Sequence, residues 1–133
     1  MIDHISIPVD DVERSRLFYD AVLGALGVNR MMDIEIDEAI TSGYGVHEGE
    51  PPFWIGQGKD AEQPPVDTPE GQHIAFSAAT RAAVDAFYEA GMENGGVDNG
   101  APGLRPHYHE NYYAAFLLDP DGHRVEAVCH LPE

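Results

Sequence analysis

Apolar and polar positions alternate in "HISI", residues 4–7, and alternate again in "HIAF", residues 73–76. A period of two marks a strand with one apolar and one polar face, and in both stretches a histidine leads the polar face. The period then lengthens. Leu17, Phe18, Ala21, Val22 and Ala25 recur at helical spacing behind Asp10 or Asp11, and Val84, Phe87, Tyr88 and Met92 do so behind Thr80. The short oxygen-bearing side chains suit helix N-caps, and Gly24, Gly27, Gly91, Gly95 and Gly96 suit helix ends. After each helix the pattern is strand-like again, over 28–34, 44–46 and 53–57 in the first half and over 112–118 and 123–130 in the second.

The two halves are copies. A shift of 69 positions carries His4 onto His73, Ile5 onto Ile74, Phe18-Tyr19 onto Phe87-Tyr88, Ala21 onto Ala90 and Gly27-Val28 onto Gly96-Val97. A period this long is not that of a solenoid; it implies two copies of one supersecondary unit. Each unit reads as one strand, one helix and about three strands. The pattern therefore predicts an α+β fold of two tandem βαβββ units, 1–57 and 72–131, joined by the polar, proline-bearing linker 58–71. Helices on one side leave a cupped, mainly antiparallel eight-stranded sheet with both histidines on its inner face. Phe18 and Phe87 read as core.

Composition narrows the partners. Lys+Arg 7 against Asp+Glu 24 gives a formal charge of −17, which repels phosphate backbones and anionic membrane surfaces, so no nucleic-acid and no membrane partner is expected. Cys129 is the single cysteine, so no internal disulfide can form. With no apolar run near the roughly 18 residues of a bilayer span, the chain reads as cytoplasmic.

Chemistry enters with "FLLDPDGHRVEAV". Asp119-Pro120-Asp121-Gly122 suits a type I turn closed by a left-handed glycine, which sets Asp119 opposite His123 and Phe116 opposite Glu126. Glu126 then shares a face with Phe116, Ala114 and Tyr112, in a strand otherwise built for burial, where a carboxylate needs a partner. His4, His73 and Glu126 together would form a two-histidine, one-carboxylate metal set with positions open to substrate, the pattern of a catalytic centre. In "GLRPHYHENYY", His107 and His109 are rival ligands or, better, acid–base groups beside the centre, since imidazole exchanges protons near neutrality. His47, His123 and His130 read as solvated.

Those residues carry a resemblance. "DHISIPVDDVERSRLFYDAVLGALG" is similar to the first strand and helix of the vicinal oxygen chelate superfamily, "HIAFSA" to its fifth strand and "FLLDPDGHRVEAV" to its closing hairpin. That superfamily includes glyoxalases, extradiol dioxygenases, fosfomycin-resistance thiol transferases and bleomycin-resistance proteins. The resemblance spans essentially the whole chain and implies paired βαβββ units, often dimeric. It implies one divalent ion, Fe, Mn, Zn or Ni, on His4, His73 and Glu126. The fourth ligand of glyoxalase I would fall at Trp54, or at Gln57 by the rigid shift, and neither is a carboxylate. A tryptophan there is similar to the thiol transferases, although Phe116 stands where they carry a tyrosine. Ser6, Trp54, Tyr112 and Phe116 are the substrate-binding candidates this frame implies. The function so implied is a metal-dependent enzyme of the glyoxalase/dioxygenase type. It would act, as a homodimer, on a small molecule that chelates the ion through neighbouring oxygens, in an extradiol-dioxygenase-like, lyase-like or transferase-like reaction. The alternative is a ligand-sequestering protein of the bleomycin-resistance type.

Overall fold

The computed structural model describes residues 1–60 and 69–133, so most of the linker lies outside the described residues. Strand β1 (Ile5–Pro8) leads into helix α1 (Val12–Gly24), then β2 (Asn29–Ile36), β3 (Ala39–Gly45) and β4 (Phe53–Gln57). The second half repeats the order with β5 (Ile74–Ser77), α2 (Arg81–Glu93), β6 (Val97–Asp98), β7 (Gly103–Leu104), β8 (Tyr113–Leu118) and β9 (Arg124–Cys129). Asp11 caps α1 by accepting from the backbone N–H groups of Glu13 and Arg14, and Thr80 caps α2 through Ala83. Each cap satisfies donors that a helix start leaves unpaired.

The strands form two mixed sheets, in the orders β1-β4-β3-β2 and β5-β9-β8-β6, with β7 also on β8. In each, the first strand runs parallel to the last and all other pairs are antiparallel. The strand expected after α2 is therefore one edge broken in two: β6 pairs with Leu117 and Leu118, β7 with Tyr113 and Ala114, and residues 99–102 join them, with Asn99 and Gly100 bonded to Phe116. β3 starts five residues earlier than the apolar pattern indicated. Its first residues are Ala, Ile, Thr, Ser and Gly, and they are strand because β2 and β4 pair with them on both sides. Asp37 and Glu38 both have positive φ, 52° and 71°, the two-residue turn that matches the twist of an antiparallel pair.

The helices cover one face of each sheet, and one apolar core runs through Ile7, Phe18, Val22, Ile55, Phe87, Leu117 and Val125. Leu17, placed in the apolar stripe by sequence, is 66% exposed. The buried line of α1 runs instead through Ser15, Phe18, Tyr19 and Val22, because Ser15 and Tyr19 point at the second unit. Gly91 lies inside α2 rather than at its end, where a Cβ would stand 2.3 Å from Leu117 Cδ1 and 3.2 Å from Val22 Cγ1. Only a glycine lets the two helices and β8 approach this closely.

A polar lock joins the halves. Tyr19 donates to Asp119 Oδ2 at 2.6 Å, Asp119 Oδ1 accepts from the N–H groups of Asp121 and His123, and Asp121 accepts from Arg14, Ser15 and the Asp10 N–H. His123 is not solvated, as sequence suggested, but 8% exposed, with Nε2 donating to the Pro8 carbonyl at 2.7 Å. Burial raises the Asp119 carboxyl above its ordinary range, and burial beside that acid pushes the Tyr19 phenol well up. No helix among the described residues is long and apolar enough to cross a membrane.

Candidate active site

The closing hairpin pairs Phe116 with Glu126 and Leu118 with Arg124, the register expected from "DPDG". Asp119 N–H donates to the His123 carbonyl, and Gly122 turns at φ 99°. Alternation then puts Val125, Ala127 and Cys129 into the core and sets Arg124 and Glu126 on the other face, away from the helices. On the opposite side of β9, Ala75 of β5 lies level with Glu126, which carries His73 onto the same face.

Glu126 is 1% exposed, and both its oxygens are used. Oε2 accepts a short hydrogen bond, 2.5 Å, from the Tyr112 hydroxyl, and Oε1 lies 2.8 Å from His73 Nε2. Burial and the bond to Glu126 push the Tyr112 phenol far above its ordinary range, so it stays a donor. His73 Nδ1 lies 3.1 Å from the Gly71 carbonyl, which can only accept, so the Nδ1 proton is committed there. The Nε2 lone pair of a neutral ring then faces a carboxylate oxygen. Two acceptors at that distance need a cation between them, a proton or a metal ion.

His4 does not join them. It is exposed, its Nδ1 lies 2.6 Å from Asp3 Oδ1, and no Cα of β1 comes within 8 Å of one in β5. Among the described residues no three of His, Cys, Asp and Glu stand close enough to hold an ion. Ser6 and Trp54 line a cavity of about 340 Å³ on the first sheet, with the indole N–H given to the Pro51 carbonyl. Ser6 is level with Trp54 as Ala75 is with Glu126, so Trp54 holds in the first unit the place of Glu126 in the second. Gln57 is occupied elsewhere, accepting from the Val12 N–H at the start of α1.

Phe116 lines a cavity of about 250 Å³ with His73, Tyr108 and Arg124. His107 packs on Tyr108, and His109 Nε2 meets His130 Nδ1 at 2.8 Å. No bond runs from His107 or His109 to His73 or Glu126; Tyr112, whose ring centroid is 5.5 Å from that of His109, stands between. His130 is exposed, as the sequence suggested, and its contact with His109, 21 residues away, is one that no local pattern marks. The hairpin register, followed two residues from Glu126 toward the turn, puts Arg124 on the same face.

A family model for the glyoxalase/bleomycin resistance protein/dioxygenase superfamily matches residues 1–127. The chain belongs to that superfamily. A glyoxalase/bleomycin resistance protein from Albidiferax ferrireducens T118 is similar over 96% of this chain and 97% of its own, at 30% identity and a TM-score of 0.71. Two glyoxalase I structures share the superfamily fold. The enzyme of Zea mays matches at 20% identity and a TM-score of 0.74 over 96% of this chain, which spans 45% of its length. That of Leishmania major matches at 18% identity and a TM-score of 0.66, over 98% of this chain and 86% of its own. Among curated proteins, none matches the chain.

Proposed function

We propose that the chain is a divalent-metal-dependent enzyme of the glyoxalase/dioxygenase type, with the ion on His73, Glu126 and His4. Its substrate is a small molecule with two neighbouring oxygens. The observation that carries this reading is the buried Glu126 set 2.8 Å from His73 Nε2, in a ring whose Nδ1 proton goes to the Gly71 carbonyl. Two imidazoles and one carboxylate suit Fe(II), Mn(II), Zn(II) or Ni(II) and leave positions open for substrate. A bound ion of this kind supplies Lewis-acid stabilisation of negative charge developing on substrate oxygens.

The chain's residues do the positioning. Tyr112 holds Glu126 by one oxygen and leaves the other turned to His73, and the Gly71 carbonyl sets the His73 tautomer. Phe116 walls the substrate on this sheet, Ser6 and Trp54 wall it on the other, and His107 and His109 act at the rim as proton carriers. β1 and β5 are each one edge of their sheet, and because His4 stands apart from His73 and Glu126 within the chain, the third ligand is read as coming from a second copy. In such a homodimer His4 of each copy completes the His73–Glu126 pair of the other.

Metal analysis of untagged protein tests this reading, with about one ion per chain expected and loss of it in His4→Ala and in His73→Ala. Mixing those two variants after brief unfolding forms heterodimers in which one of the two sites is intact. Twofold symmetry and random pairing then return about a quarter of the wild-type metal. No recovery on mixing removes the shared site, and no metal in the wild type, with tight binding of an aromatic ligand, converts the reading to a sequestering protein.

A further inference from the structure

Of the six arginines in the sequence, Arg14, Arg16, Arg30 and Arg81 each pair with at least one carboxylate. Arg105 gives both Nη groups to the Ala101 and Gly103 carbonyls and lies 5.3 Å over the Phe116 ring. Among the described residues Arg124 has no such partner. In a chain with 24 acidic residues a half-buried guanidinium left unpaired needs a reason. Its place supplies one. Arg124 lines both cavities that His73 lines, of about 290 and 250 Å³, and it shares a face of β9 with Glu126 two residues away, roughly 7 Å along the strand.

The smaller cavity adds two more uncommitted donors, the Asn99 amide and the Tyr108 hydroxyl, against the apolar wall of Phe116. Glu70 rims the same space without forming an ion pair to Arg124. A guanidinium presents parallel N–H groups that match two oxygens of a carboxylate or a phosphate-type group. We propose that Arg124 binds an oxyanion group of the substrate, so that this site takes small acids. The net charge of −17 opposes anion binding over the whole surface, so a site for an acid needs a local cation, and Arg124 supplies it here. The assignment deepens the metal-centre reading and rests on it only for the other end of the substrate.

The test uses metal-free protein, so that an anion on the ion cannot mimic one on Arg124. Inorganic phosphate and malonate are titrated separately at low ionic strength while the arginine Nε–Hε resonances are followed by NMR. One resonance, the one missing from Arg124→Gln, is expected to move saturably with at least one of the two anions. Apparent affinity falls at least tenfold in Arg124→Gln and only partly in Arg124→Lys, and stays unchanged in Arg30→Gln. A response to malonate alone assigns a carboxylate substrate and to phosphate alone a phosphate-type one. Wild-type affinity in Arg124→Gln, with an unchanged folded spectrum, overturns the proposal, as does the absence of any shift with either anion. Titration with Mn(II) on the same samples keeps the two readings apart, since metal without anion binding sinks only Arg124 and anion without metal binding sinks only the metal centre.

Discussion

Replacing Tyr19 by phenylalanine removes one oxygen and almost no volume, and the structure says what that oxygen does. Its proton goes to Asp119 Oδ2 at 2.6 Å, in a side chain 2% exposed, while Oδ1 is held by two backbone N–H groups. The variant leaves a buried carboxylate oxygen unsatisfied, a cost of about 1–3 kcal/mol. In a chain of this size each kcal/mol lowers the melting temperature by roughly 2 to 8 °C. The penalty has a pH signature. Burial holds the Asp119 carboxyl above its ordinary value and the Tyr19 bond pulls it back, so removing the bond raises it further. A raised acid contributes stability that is complete below its unfolded pKa and lost as pH rises through the folded one. The difference between wild type and Tyr19→Phe is therefore largest at neutral pH and shrinks on acidification as Asp119 takes up a proton. Urea denaturation at pH 7 and at progressively lower pH measures it. Equal stability at neutral pH, or a gap that widens on acidification, would refute the account of the lock.

Three further outcomes follow from the geometry. Tyr112→Phe frees Glu126 Oε2, and metal affinity by calorimetry should fall about 10- to 100-fold without loss of the fold; unchanged affinity would make Tyr112 mere packing. Gly91→Ala in a helix interior would ordinarily stabilise by about 0.5–1 kcal/mol, but a Cβ 2.3 Å from the buried Leu117 reverses the sign. Overpacking costs of about 1–3 kcal/mol are expected there, and a raised melting temperature would count against the helix contact. Because the ion pairs are worth little and the charge is −17, added KCl should raise the melting temperature from its low-salt value by screening self-repulsion; a fall would mean the pairs dominate.

What was legible from the residues alone was local or periodic. The alternation at 4–7 and 73–76, the caps at Asp10 or Asp11 and at Thr80, and the turn chemistry of Asp119 to Gly122 are set by neighbours within a few positions, and each is realised, the first cap at Asp11. The hairpin register follows from the turn, so the residues alone put Phe116, Tyr112 and Glu126 on one face. The repeat made His73 the counterpart of His4. It could not show that the edge strand after α2 breaks, because two residues of pairing on β8 leave no period to read.

Tertiary structure decided the rest, since it depends on contacts between segments far apart in the chain. Tyr19 and Asp119 lie 100 residues apart, and neither an apolar stripe nor a charge pattern marks them as a pair. His123 looked solvated because burial of an imidazole turns on a carbonyl, that of Pro8, 115 positions away. Trp54 rather than Gln57 matches Glu126 because sheet register, not a fixed offset, relates the halves. Sequence grouped His4, His73 and Glu126, and the fold sets His73 2.8 Å from Glu126 while His4 stands apart. Where His4 lies relative to His73 is set by how the two sheets are placed against each other, and no local propensity encodes that placement.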